Sequence, residues 1–355
     1  MLAGEIDRRE RIDLVRQGGG SRRGRFALGC ILSLLLFSHK LVQAESTHPC
    51  SENVGFGPLG IRGQSYFQML HLTPTPSAPS TLRKGEWEGQ ALLTWVNGWA
   101  VSKDHYMIDT ETLQWTGKLS YALNDRIQFG FEIPVLWRGG GYLDRSIEGF
   151  HHAFNLGNGR RDRFPRNRTR FEFHRKDGST FVLEDSGIGL QDAVFSSQVS
   201  LTCGGAKVPA VGVSLSVSLP TDREEKLYGT DGIDVSGTLL FAKRISRVYI
   251  YLNFSYVRLG SGDFVGIPLH RDKWVGFAAV EYRLKEGTSL ILQNTLSSGV
   301  AEDFFEFSDY TDEMAFGFKT AFTNRLVWEM GVIENLFNIR NGPDFGIHTG
   351  LSYRF

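Results

Sequence analysis

The chain has 355 residues, with 39 Lys and Arg against 39 Asp and Glu, so its formal charge is zero. That balance excludes a strongly basic nucleic-acid binder and an acidic disordered chain. No run approaches the roughly 20 apolar residues of a helical span, which excludes a helical membrane protein.

Residues 1–20 are charged and Gly-rich and precede an export signal, as expected of a start codon placed too far upstream. Residues 21–44 read as a secretory signal peptide. Arg22, Arg23 and Arg25 form its basic region, Phe26 to Phe37 its apolar core, and Val42-Gln-Ala44 its small-residue cleavage pattern. The mature chain is expected to begin at Glu45. Cys30 falls within the signal, leaving Cys50 and Cys203, which an oxidising periplasm can join. Two unpaired thiols are the alternative.

Residues 45–85 read as a periplasmic lead-in. It contains the turn-rich piece Phe56-Gly-Pro-Leu-Gly-Ile-Arg-Gly-Gln64 and a Pro/Ser/Thr linker over 73–79. Tyr66 to Leu72 between them is either a short strand or a segment packed into a barrel mouth.

From Glu86 onward, alternating segments of about 10–13 residues recur, the signature of a transmembrane β-barrel. Ile127, Phe129, Phe131, Ile133, Val135 and Trp137 face one way, with Gln128, Gly130 and Glu132 among them. The pattern predicts twelve strands, at 86–97, 112–123, 126–137, 187–201, 208–220, 232–243, 247–258, 272–283, 287–298, 312–322, 325–335 and 345–355. Their connections alternate short and long. Asn124-Asp125 and Thr323-Asn324 are tight-turn pairs, whereas 98–111, 138–186, 221–231, 259–271, 299–311 and 336–344 are long. This is the pattern of periplasmic turns and external loops, with both termini inside. The fold class is therefore all-β: a closed antiparallel transmembrane barrel over 86–355, whose longest external loop holds a short helix. In that loop Ile147, Phe150, His151 and Phe154 share one helical face and Asp144 is placed to cap it.

The stretch Gly141-Tyr-Leu-Asp-Arg-Ser-Ile-Glu-Gly-Phe-His-His-Ala-Phe-Asn-Leu-Gly-Asn-Gly-Arg-Arg-Asp162 resembles the central signature of a bacterial family of outer-membrane proteins known only as a domain of unknown function. Phe56 to Gln64 and Trp95-Val-Asn-Gly-Trp99 resemble it too. The resemblance spans most of the mature chain and implies the outer membrane of a Gram-negative bacterium. It implies no activity and no catalytic residue.

On the lumen side of the strands the register places Lys118, Glu132, Glu281, Lys319, Glu329 and Arg354. Charges of both signs fit either a conductive pore or a paired, plugged interior. The loop arginines Arg160, Arg161, Arg163, Arg166, Arg168 and Arg170 are candidates for lipopolysaccharide phosphates, because guanidinium offers bidentate contacts. Cys50 and Cys203 both fall on the periplasmic side, where a disulfide between them would tie the lead-in to the barrel base. Tyr353 and the terminal Phe355 form the insertion signal that the barrel-assembly machinery reads. No cofactor, metal or nucleic-acid partner is expected. The favoured reading is a passive channel or facilitator for a small solute. The alternative is a non-transporting barrel that contacts lipopolysaccharide. An outer-leaflet lipid-acting enzyme is third, since no His is followed closely by Ser-Asn-Gly on a strand.

Overall fold

The computed structural model describes residues 53–154, 161–221, 226–335 and 341–355. The N-terminal extension, the signal peptide, Cys30, Cys50 and Arg160 lie outside these residues. The strands are β1 (Trp87–Ser102), β2 (Tyr106–Asn124), β3 (Ile127–Gly139), β4 (Arg170–His174), β5 (Thr180–Leu183), β6 (Gly187–Leu190), β7 (Ala193–Thr202), β8 (Ala210–Leu219), β9 (Asp234–Ile245), β10 (Val248–Arg258), β11 (Asp263–Phe264), β12 (Ile267–Pro268), β13 (Asp272–Lys285), β14 (Thr288–Ser297), β15 (Thr311–Ala321), β16 (Leu326–Glu334) and β17 (Phe345–Arg354).

Twelve of these close into an antiparallel barrel in the order β1, β2, β3, β7, β8, β9, β10, β13, β14, β15, β16 and β17. The seam runs from Glu88↔Arg354 to Asn97↔Phe345. The backbones of Trp87 and Phe355 finish it with reciprocal hydrogen bonds of 3.1 and 3.0 Å. Closure leaves the twelve barrel strands without a free edge, which a sheet in hydrocarbon requires.

The short turns form where side chains replace ladder partners. Asn124 Oδ1 accepts from the amides of Arg126 and Ile127, both at 2.9 Å. Thr323 Oγ1 accepts from Leu326 N at 2.9 Å. The outer wall is apolar, with Leu239, Leu252, Val280, Leu292 and Phe316 exposed. Aromatic pairs mark its two rims: Trp87 with Tyr121 (4.6 Å) and Tyr353 with Phe355 (6.2 Å) on one, Tyr256 with Trp274 (4.8 Å) on the other. An apolar band between aromatic girdles is what a bilayer selects.

Two expectations about the strands need correction. First, the loop expected over 98–111 is strand, because β1 and β2 pair as far as Ser102↔Tyr106. Above the membrane β4 adds to β2, from Tyr106↔Phe173 to Asp109↔Arg170. Residues 106–112 are thus buried on both faces, and alternation disappears from the sequence there. Second, the expected strand 187–201 is two, β6 and β7, broken at Gln191-Asp192, whose side chains turn inward to Met69 O (3.2 Å) and Thr230 Oγ1 (2.8 Å). Asp144 is the first residue of the helix Asp144–Phe154, and its carboxylate takes Arg161 Nη1 at 3.0 Å and Asn167 N at 2.8 Å.

The expected periplasmic lead-in is the largest difference. Its described part, 53–82, runs inside the barrel, with Leu59, Gln64, Ser65 and Phe67 among its buried residues. Its backbone is satisfied by wall side chains rather than by a ladder, so it carries no strand periodicity.

Candidate functional site: the occupied lumen

The segment enters at the periplasmic rim, where Asn53 Nδ2 donates to Cys203 O at 3.2 Å. A rising limb then meets one acceptor after another from the wall. Gly55 N donates to the Tyr251 hydroxyl at 2.8 Å. Phe56 N and Gly57 N donate to the two oxygens of Glu281 at 3.0 and 3.1 Å. Leu59 N donates to Gln293 Oε1 at 2.9 Å, and Gly60 N to Glu329 Oε1 at 2.7 Å. Gln64 N and Ser65 N both donate to Glu313 at 2.7 Å. Carboxylates accepting backbone N–H groups make strong, charge-assisted bonds.

Glycine is needed on this path. A Cβ on Gly55 would stand 2.2 Å from Glu281 Oε1, and one on Gly60 would stand 2.8 Å from Leu92 Cδ1.

At the outer end the chain forms the short helix Tyr66–Leu70, buried throughout. Phe67 packs its ring against Phe173 (5.8 Å), Phe264 (5.2 Å) and Phe307 (4.8 Å) from three different loops. Leu136, Leu227, Val257 and Val300 join the same apolar cluster, so the loops and the helix form one cap. A falling limb returns along the opposite wall. Leu72 N donates to Asp234 Oδ2 (2.9 Å), Ser77 N to Asn253 Oδ1 (3.0 Å) and Leu82 N to Gln128 Oε1 (2.9 Å).

Five of the six expected lumen residues face this segment or pair beside it. Glu281 (0% exposed) and Glu329 (2%) hold the rising limb directly. Lys118 pairs with Glu132 at 2.8 Å, and Glu132 also accepts from Thr75 Oγ1 at 3.0 Å. Lys319 pairs with Glu329 at 2.7 Å. Arg354 is the exception: it is exposed at the periplasmic rim and bonded to Glu88 at 2.7 Å, because the strand ends there.

Glu313, Asp234, Gln293, Tyr251 and Lys273 were not singled out by sequence. The available signal was parity, since the outward face of β10 at Ile250 and Leu252 implies an inward Tyr251 and Asn253.

Glu329 Oε1 also lies 2.8 Å from His348 Nε2, whose Nδ1 shares a 2.9 Å hydrogen bond with Thr94 Oγ1. A hydroxyl, an imidazole and a carboxylate in line resemble a hydrolytic triad. All three are buried, and their carboxylate already binds Lys319 and the Gly60 amide, so a substrate has no approach to them.

The loop arginines divide by burial. Arg161 cannot meet lipopolysaccharide, being 4% exposed, paired with Asp144 (3.0 Å) and Asp344 (2.8 Å), and lying over the Trp99 ring. Arg168 is half-buried, with one guanidinium nitrogen on Met107 Sδ. Arg170 is shared by Glu172 and Glu184, and exposed Arg166 by Glu148. Arg163 is exposed.

Cys203 is disulfide-bonded, with its partner outside the described residues. The neighbouring Asn53 brings the chain that follows Cys50 to its side. With Cys50 as the partner, the mature protein should show no reactive thiol after denaturation without reductant and two after reduction. Two thiols before reduction would refute the pairing.

A closed barrel with an apolar band, aromatic girdles and a polar interior is an outer-membrane β-barrel protein, here with its own N-terminal segment threaded through the lumen. The chain belongs to the family described as "Protein of unknown function (DUF3187)", which it matches over residues 33–355. No curated protein matches it. Among solved structures it is similar to the COG4313 outer membrane channel from Pseudomonas putida F1, at 13% identity and a TM-score of 0.53, covering 79% of this chain and 100% of that one. The NanC porin (10% identity, TM-score 0.44, covering 75% and 98%) and the TodX deltaS2S3 mutant monoaromatic hydrocarbon channel (10%, 0.37, covering 83% and 98%) also match.

Proposed function

We propose that the protein is a gated facilitator for a small polar solute, held closed at rest by its N-terminal segment. The observation that carries this reading is the chemistry of the rising limb. Its amides are held by side chains of the wall, chiefly Glu281, Gln293, Glu329 and Glu313. Water can replace such bonds one at a time, whereas a permanent plug is better served by apolar packing. The likeness to an outer-membrane channel supports the fold of this reading and no more.

Planar-bilayer recording tests it. The wild type should give rare, brief openings, and Glu281→Gln with Glu329→Gln should raise open probability by roughly tenfold as charge-assisted bonds become neutral ones. Silence from both proteins would refute the facilitator.

The apolar cap over the outer end favours a second reading, a non-transporting barrel whose loop arginines touch lipopolysaccharide. Of those arginines, Arg163 and Arg166 have the exposure for that role. Export by cleavage near Ala44 and insertion through the Tyr353–Phe355 signal belong to both readings.

A further inference from the structure

The longest loop is fastened to the outside of the barrel wall by a buried polar network. Leu93 of β1 and Trp115 and Leu119 of β2 face lipid. Strand alternation puts Asn97, Trp99, Asp109 and Glu111 on the same outward face, nearer the outer end. Asn97, Asp109 and Glu111 are nevertheless 1, 3 and 0% exposed, because residues 141–154 and 161–168 of the loop lie over them.

Arg161 stands at the centre of the contact. Its guanidinium pairs with Asp144 at 3.0 Å and Asp344 at 2.8 Å, donates to Asn97 and lies over the Trp99 ring. Asn97 Nδ2 donates to Asp144 at 3.3 Å. Glu111 accepts from Trp95 Nε1 at 3.1 Å and from the Leu143 amide. The Phe164 ring meets Trp99 at 5.5 Å.

Asp109 is the carboxylate that this network leaves weakly countered. Asp144 and Glu111 repel its ionised form, and Arg161 and Arg168 favour it. Arg161 is already shared by two carboxylates, and Arg168 has a nitrogen 3.7 Å from Met107 Sδ. Across the ladders Asp109 stands opposite Trp99 on β1 and Arg170 on β4, and Arg170 is taken by Glu172 and Glu184. Glu334 on β16 adds its charge beside Asp344. The loop's other described cations, Arg145, His152, Arg163 and Arg166, are exposed, with Arg166 held by Glu148. The nearby imidazoles are His105, stacked on Phe305, and His174, bonded to Glu172 at 2.9 Å. Burial, and after it the Asp144 charge, push the Asp109 carboxyl up to about 7.

We propose that Asp109 makes the seating of this loop pH-sensitive. With its proton the loop is held against the wall, and without it a further buried negative charge loosens residues 141–154 and 161–168. The opened loop returns Asp109 to water, where it ionises in the ordinary carboxylate range, near pH 4. Between about pH 4 and 7 the closed state therefore binds the extra proton. Rising pH favours opening across that window and adds nothing above it. β4 begins two residues beyond Arg168 and carries Phe171 and Phe173 into the cap, which gives the loosening a path to the outer end of the lumen. The inference does not need the facilitator reading, since the loop responds whether or not a solute passes.

Hydrogen exchange of the mature protein in detergent tests it, read as protection factors so that the intrinsic pH dependence of exchange is removed. The Leu143 and Asn167 amides donate to Glu111 and Asp144. Their protection should fall by up to roughly tenfold per pH unit between pH 5 and 7 and level off by about pH 8. Asp109→Asn should keep the low-pH protection throughout, whereas His105→Gln and His174→Gln should leave the fall intact. Heat-modifiable electrophoretic migration reports folding, and Asp109→Ser decides the matter if Asp109→Asn does not fold. Wild-type protection that stays constant or rises with pH overturns the proposal. So does a fall of wild-type size in a folded Asp109 variant, which would assign the response to another group.

Discussion

Phe67→Ala should detach the cap from the lumen segment, lowering the local stability of that end by about 3–5 kcal/mol. The magnitude follows from the position of Phe67, 2% exposed, with rings from β4 (Phe173), β11 (Phe264) and the turn Phe305–Ser308 (Phe307) all meeting its own. Removing it deprives three loops of their shared partner at once, and the short helix Tyr66–Leu70 is too small to persist without tertiary contacts. The barrel below is held by its closed ladder and should remain heat-modifiable. Limited trypsin digestion should therefore cut the arginine-rich stretch 161–175 in Phe67→Ala and spare it in the wild type. The same digestion pattern in both proteins would show that the loops hold the cap without the helix.

Glu329→Ala should cost about 3–5 kcal/mol of barrel stability, the range expected when one member of a buried ion pair is removed. The substitution leaves Lys319 charged in the lumen and strands His348 Nε2 and the Gly60 amide, which Glu329 receives at 2.7, 2.8 and 2.7 Å respectively. Urea unfolding in lipid vesicles measures the loss. Glu329→Leu combined with Lys319→Met should recover much of it, since no unpaired charge remains and apolar groups fill the volume. A loss below about 1 kcal/mol for Glu329→Ala would mean that water already solvates this network.

The barrel was legible because its membrane face obeys a local rule. Leu252 and Phe254 must point into hydrocarbon, so Tyr251 and Asn253 must point inward, and the turns at Asn124 and Thr323 carry their own side-chain acceptors. The seam of β1 with β17 followed from those registers. The same rule made Glu132, Glu281, Lys319 and Glu329 visible as inward charges. It did not reveal what they bind, because their partners are amides and ions far away along the chain, as with Glu281 and Phe56.

What the sequence determined by itself is the strand register: an even-stranded antiparallel barrel, and which face of each strand meets lipid. These depend on periods of two and on turn residues, both local. What only the tertiary structure decided is the content of the lumen. Residues 53–82 have no periodicity, since their amides are met singly by Tyr251, Glu281, Gln293, Glu329 and Glu313 from separate strands. Their course through the barrel exists only once the wall has closed around them, and so a segment that reads as a linker is the part of the molecule that occupies the pore.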